Sequence, residues 1–135
     1  IPFPSFASRL DRRRMNLVAL LLVALGGALG SVARALAGLA LPADRLPWGT
    51  IAINVVGSLL IGWLVVRLAP ADEHDLRVHS FAVVGFCGGF TTFSAFSWQT
   101  FQQMQKGDWL AAGGNVLLSV VLCLAATGLG ARLAR

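Results

Sequence analysis

From Leu17 to Leu133 the chain consists of four long apolar stretches with almost no charge inside them. That pattern constrains its solvent before anything else. About 20 mostly apolar residues suffice to cross a bilayer as a helix. In lipid every backbone N–H and C=O must be satisfied within the segment, which selects helices. The first stretch runs from about Leu17 to Leu41 and is uncharged until Arg34. The second runs from Trp48 to Leu68, with Arg67 at its end. The third runs from Val78 to Met104 and the fourth from Trp109 to Leu133. The expected fold is an all-α integral membrane protein with four transmembrane helices.

Composition agrees. Apolar residues make up 56% of the 135 positions and charged residues 13%, against about 25% charged in ordinary globular chains. Disorder is excluded, since it needs few apolar residues and many charges. A water-soluble fold is disfavoured because too few polar side chains remain to cover its surface. The net charge is +5, but the basic residues form no stripe among aromatics of the kind a nucleic-acid surface needs. They flank apolar runs, as in membrane proteins. Cys87 and Cys123 both lie within apolar runs and lack metal-ligand spacing.

The connections are short: 42–47, 70–77 and 105–108. Tight links between spans give an antiparallel four-helix unit, so residues 15–135 are read as one four-helix domain. Residues 1–14 form a basic tail carrying Arg9, Arg12, Arg13 and Arg14. Met15 directly precedes the first apolar run, so a start there, with 1–14 not native to the domain, is one reading. A secretory leader cleaved near Ala35-Leu36-Ala37 is a further reading of the same region, although Gly26, Gly27 and Gly30 suit helix packing better. With four spans, both termini and the middle loop share a side. That side holds Arg67, Arg77, Arg132 and Arg135, against Arg45, Lys106 and Arg34 on the other. Without the tail this is nearly balanced, and orientation is weakly set; with it, termini inside are favoured.

Small residues at spacing four let helix backbones approach closely. Gly26 and Gly30, Ser58 and Gly62, and Gly85 and Gly89 have that spacing. The stretch Gly85 to Thr92, with adjacent glycines followed by two β-branched threonines, is expected to break the third helix at mid-membrane depth. Irregular backbone there must be buried in protein or line a cavity, and freed carbonyls can bind a cation.

Polar residues within the spans are read as functional because they are costly in lipid. Thr50, Asn54 and Ser58 share a face of the second span. Asn115, Ser119, Cys123 and Thr127 form a stripe down the fourth. Thr91, Thr92, Ser94, Ser97 and Thr100 lie on the third. All six acids, Asp11, Asp44, Asp72, Glu73, Asp75 and Asp108, fall in tails or loops. Proton-coupled cation exporters need a membrane carboxylate, whereas neutral amide and hydroxyl donors suit an anion. Arg34 either draws an anion into a vestibule or snorkels to the interface. Phe90, Phe93 and Phe96 recur at spacing three beside the expected break, and phenyl rings have positive edges. His74 and His79 have no paired nucleophile, and no phosphate-cradling loop is present, so the chain reads as a non-enzyme.

The stretch GFCGGFTTFSAF, Gly85 to Phe96, closely resembles the signature of the Fluc (CrcB) fluoride channels. GGALGSVAR, Gly26 to Arg34, and WGTIAIN, Trp48 to Asn54, match as well, and the likeness extends from Met15 to nearly the end. The resemblance implies passive export of fluoride across the cell inner or plasma membrane, which relieves fluoride toxicity. It implies a multi-pass, antiparallel, dual-topology homodimer with two pathways near the subunit interface. It further implies a structural Na+ at the dimer centre, held by the backbone carbonyls of Gly88 and Thr91. Phe93 and Phe96 match the pore phenylalanines, Asn54 the asparagine of helix 2, Arg34 the arginine of helix 1, and Ser94 the motif serine. Thr92 and Ser119 complete the candidate pathway. Two positions depart from the family pattern: Ala95 stands where a threonine is frequent, and Cys123 where helix 4 has a serine. Two rival functions are a small multidrug-type, proton-coupled exporter and a non-transporting membrane scaffold. The exporter would need a glutamate in the first span, which holds none.

Overall fold

The computed structural model describes residues 17–41, 45–68 and 73–135. The basic tail, the start at Met15 and the acids Asp11, Asp44 and Asp72 lie outside them. Among the described residues there are helices and no strands. Helix α1 spans Leu17–Ala40 and α2 spans Trp48–Arg67. The third span is composite. Its first part, α3, starts with Glu73–His79, widens into a π-helical stretch, Ser80–Cys87, and ends with the turn Gly88–Phe90. After two extended residues the chain resumes as α4, Phe93–Gln105, and α5 spans Trp109–Leu133. Four helical segments are therefore long and apolar enough to cross a membrane, the third being His74–Gln105 with its interruption.

The observed limits differ from those read in the sequence chiefly in the third span. It is helical from Glu73, so most of the expected 70–77 loop is helix. Acidic residues suit a helix's first turn, where the exposed N–H groups carry positive partial charge.

The bundle forms two layers of contact. Helix α1 packs along α3, and α2 packs along α5, with α4 laid against α5. The α1–α3 contact is backbone against backbone. A Cβ at Gly26 would meet the Phe81 carbonyl and the Phe86 N–H, and one at Gly30 would meet the Phe86 carbonyl and the Phe90 N–H. From the other side, Gly85 and Gly89 lie against the backbone of α1 at Val23 to Gly27. In lipid, where association rests on packing rather than on water release, such close approach supplies the attraction. The α2–α5 contact repeats the device near the C-terminal ends of both helices: a Cβ at Gly62 would meet the Thr127 carbonyl, and one at Gly130 the Leu59 carbonyl.

This packing narrows the expected break to the last two residues of Gly85 to Thr92. Gly85, Gly88 and Gly89 are all helical, and the interruption is confined to Thr91 and Thr92. Glycine's helix-breaking tendency is an entropic preference of about 1 kcal/mol, which a tight backbone contact with α1 overrides.

The turn between α4 and α5 is short because Gly107 takes a left-handed conformation, φ 73°, as glycine does just past a helix end. Asp108 then caps α5 by accepting from the Ala111 N–H at 3.1 Å. Arg45 grips the same carboxylate through Nε and Nη2 at 2.7 and 2.8 Å. The Arg45 bond, followed by the Ala111 N–H, draws the Asp108 carboxyl down to about 2, and Asp108 in turn pushes Arg45 above its ordinary value.

Candidate functional site

The break is organised by one side chain. Asn54, in the middle of α2, donates from Nδ2 to the Thr92 carbonyl at 3.1 Å and accepts from the Thr92 N–H at 2.8 Å. Its carboxamide thus imitates a strand partner for a single extended residue, with Thr92 at φ −148° and ψ 110°. The Thr92 hydroxyl accepts from the Ala95 N–H at 3.2 Å and caps α4, the role threonine favours at a helix start. Thr91 closes the other side, its hydroxyl donating to the Cys87 carbonyl at 2.9 Å. Gly57 leaves room for this turn, since a Cβ there would meet the Thr91 methyl group.

Two bonds diverted from the helical ladder have a further consequence. In a continuous helix the Thr92 N–H would reach the Gly88 carbonyl, and the Ala95 N–H would reach that of Thr91. Here they go to Asn54 and to the Thr92 side chain. The helical ladder therefore leaves the Gly88 and Thr91 carbonyls short of a donor, so these residues fit a hard cation, which takes oxygen ligands. Among the described residues no cluster of three His, Cys, Asp or Glu side chains offers an alternative ligand set. The neighbouring Gly89 carbonyl is already engaged: Arg34 Nε donates to it at 3.0 Å and Ser31 lies at 3.5 Å. Arg34 is thus brought to the end of α3.

Beside the break lies a groove of about 430 Å³, open along one flank. Asn54, Ser58, Thr91, Thr92, Phe93, Phe96, Ser119 and Cys123 line it, with Ile61, Val120 and Leu124 completing the wall. Five of the six expected pathway residues therefore meet there: Asn54, Thr92, Phe93, Phe96 and Ser119. Ser94 is exposed and outside the lining, touching it only through a 3.3 Å contact between its hydroxyl and that of Thr92.

The phenylalanine row is divided by the break. Phe90 stacks on Phe86 within α3, with centroids 5.9 Å apart. Phe93 and Phe96 pair at 5.3 Å and 46° on the groove side, and Phe93 is 77% exposed. The stripe on α5 also divides. Ser119 faces the groove, while Asn115 is wholly buried behind it. Thr127 bonds back to the Cys123 carbonyl at 3.0 Å.

A second cavity, about 500 Å³, opens at the α4–α5 end, lined in part by Thr50, Arg45, Lys106, Gln99, Gln102 and Gln103. The sequence reading did not single out these glutamines. Three amides within five positions at the end of an apolar span, next to Lys106, were the signal available.

Comparison with known proteins bears on the whole span of this geometry. A family profile described as CrcB-like protein, Camphor Resistance (CrcB), matches residues 21–131. A fluoride-specific ion channel of Opitutus terrae is 50% identical over 115 residues, covering 82% of this chain and 87% of its own. One from Methylobacterium radiotolerans is 47% identical over 123 residues, covering 86% and 84%. One from Geobacter sulfurreducens is 43% identical over 119 residues, covering 86% and 96%.

Proposed function

The chain belongs to the CrcB family, and from that premise we propose that it is a fluoride channel, letting fluoride leave the cell passively across the inner or plasma membrane. Relatives at this level of identity are named for that activity. The observation that carries the reading is the groove itself: uncharged polar side chains and two phenyl rings converge beside a helix break, in spans that contain no Asp or Glu within their apolar cores.

Moving an unpaired ion into an apolar medium costs of the order of tens of kcal/mol. A conducting path must replace the lost water with donors at each step. Asn54 uses one of its two amide hydrogens on Thr92 and keeps the other. Ser119 and Thr92 contribute hydroxyl groups, and Phe93 and Phe96 contribute ring edges. None carries a full positive charge, so the anion is solvated without being trapped.

The groove is open on one flank, and polar groups facing lipid are costly. A second copy of the chain closes it in this proposal, as an antiparallel, dual-topology homodimer with two pathways. At the dimer centre a structural Na+ would be held by the Gly88 and Thr91 carbonyls, fixing the two breaks against each other. Gly88 suits that position, being exposed with open space around it. Arg34, bound to Gly89, steadies the same turn and adds positive potential near the pathway.

Purified protein in liposomes tests this proposal. Fluoride efflux should be fast, far above chloride efflux, and unaffected by an imposed proton gradient. Proton-coupled movement of organic cations would support an exporter, and no ion flux would leave a scaffold.

A further inference from the structure

Behind the groove wall runs a chain of hydrogen bonds that the pathway description does not use. The Thr100 hydroxyl donates to the Phe96 carbonyl at 2.8 Å. Asn115 Nδ2 donates to the Thr100 oxygen at 2.8 Å. The Ser119 hydroxyl donates to Asn115 Oδ1 at 3.3 Å. Each hydroxyl has one proton, so the order is forced. With Thr100 committed to Phe96, the amide must point its nitrogen at Thr100 and its oxygen at Ser119. The Ser119 proton is then directed into the protein, and lone pairs face the groove. That orientation repels an anion.

We propose that Asn115 is a positioning residue whose amide reverses when an anion reaches Ser119, turning that hydroxyl from a spent donor into an available one. This inference rests on the reading of the groove as the fluoride pathway. In the reversed arrangement Thr100 donates to Asn115 Oδ1, Nδ2 donates to Ser119, and Ser119 donates to the anion. Three hydrogen bonds exist in either state, so the reversal sacrifices none once the anion is present. Without it, the Ser119 proton would face the apolar side of the groove with no acceptor, which returns the amide to the observed orientation. Donation from Nδ2 also polarises the Ser119 O–H, since linked hydrogen bonds strengthen one another. A carboxamide is needed because it carries a donor and an acceptor on opposite corners. Asn115 and Thr100 are 0% and 6% exposed, so water does not substitute for them.

The test is a double-mutant cycle read as fluoride efflux from liposomes. Ser119→Ala should slow efflux, whereas Thr100→Val, which removes two bonds from the observed arrangement and one from the reversed, should quicken it by roughly threefold or more. Thr100→Ser, which keeps the hydroxyl, should restore the wild-type rate. Asn115→Asp accepts but cannot donate, so it should match Ser119→Ala; where its buried charge prevents folding, Thr100→Val carries the test. In the Ser119→Ala background Thr100→Val should change efflux by less than about twofold. An undiminished effect there means that Thr100 and Asn115 serve packing alone, and the relay is overturned. Wild-type efflux in Ser119→Ala overturns the relay together with the groove reading at Ser119.

Discussion

The α1–α3 seam and the groove between α2, α4 and α5 use small and polar residues in opposite ways. In the seam Gly26, Gly30, Gly85 and Gly89 work by having no side chain, so that two backbones touch. In the groove Asn54, Thr92 and Ser119 work through the side chains they have. The seam is a rigid floor on which the break is set, through Arg34 and the Gly89 carbonyl. The groove is open along one flank. Damage to the seam should therefore remove the fold, and damage to the groove should remove conduction while the fold survives.

The largest effect is expected at Gly30→Val. Its branched side chain would collide with the Phe86 carbonyl and the Phe90 N–H, neither of which can rotate away. Overpacking of this kind costs roughly 3 kcal/mol or more, and size-exclusion chromatography in mild detergent should show aggregate in place of a monodisperse peak. Gly38→Ala, with nothing within 4 Å, should elute as the wild type. A monodisperse Gly30→Val protein would erase the distinction between the two regions.

Phe96→Ile addresses the groove. It keeps an apolar side chain of similar bulk and removes the ring edge, so efflux should fall by roughly tenfold or more with an unchanged elution profile. Equal efflux would remove the ring from the pathway.

The smallest effect lies outside both regions, at the Arg45–Asp108 clasp. Asp108 titrates at about 2 when folded and at about 3.9 when unfolded. Its folded value is depressed, so its contribution to stability is present above about pH 4 and is lost as pH falls towards 2. Arg45 is solvent-exposed and Asp108 partly so, which keeps the effect small. Thermal unfolding should therefore fall slightly more steeply between pH 4 and pH 2 for the wild type than for Asp108→Asn, and parallel curves would contradict the assignment.

Much of this was legible in the sequence. Span positions followed from apolar length, because lipid leaves the backbone no alternative to helix. The Gly26–Gly30 and Gly85–Gly89 pairs were legible as packing from their spacing. The site of the break was legible only as the segment Gly85 to Thr92: adjacent glycines are the stronger local signal, yet α1 holds Gly85 and Gly89 helical and the interruption falls at Thr91 and Thr92. What fixes it there is Asn54, 38 positions away, and no local pattern reports a contact at that separation. The division of the phenylalanine row follows from the same fact. With the helix interrupted after Phe90, spacing three no longer keeps Phe90 on the face of Phe93 and Phe96. Likewise the spacing of four from Asn115 to Ser119 located a stripe, but not the Thr100 hydroxyl that gives Asn115 its orientation.

Asn54→Asp is the most direct test of an uncharged path. A carboxylate at that position cannot donate to the Thr92 carbonyl and, on the proposed pathway, places negative charge in the way of the anion. Measured side by side in liposomes, the wild type should release fluoride rapidly, and Asn54→Asp, eluting at the same volume, should release none above protein-free vesicles. Wild-type efflux from a correctly assembled Asn54→Asp protein would contradict the account.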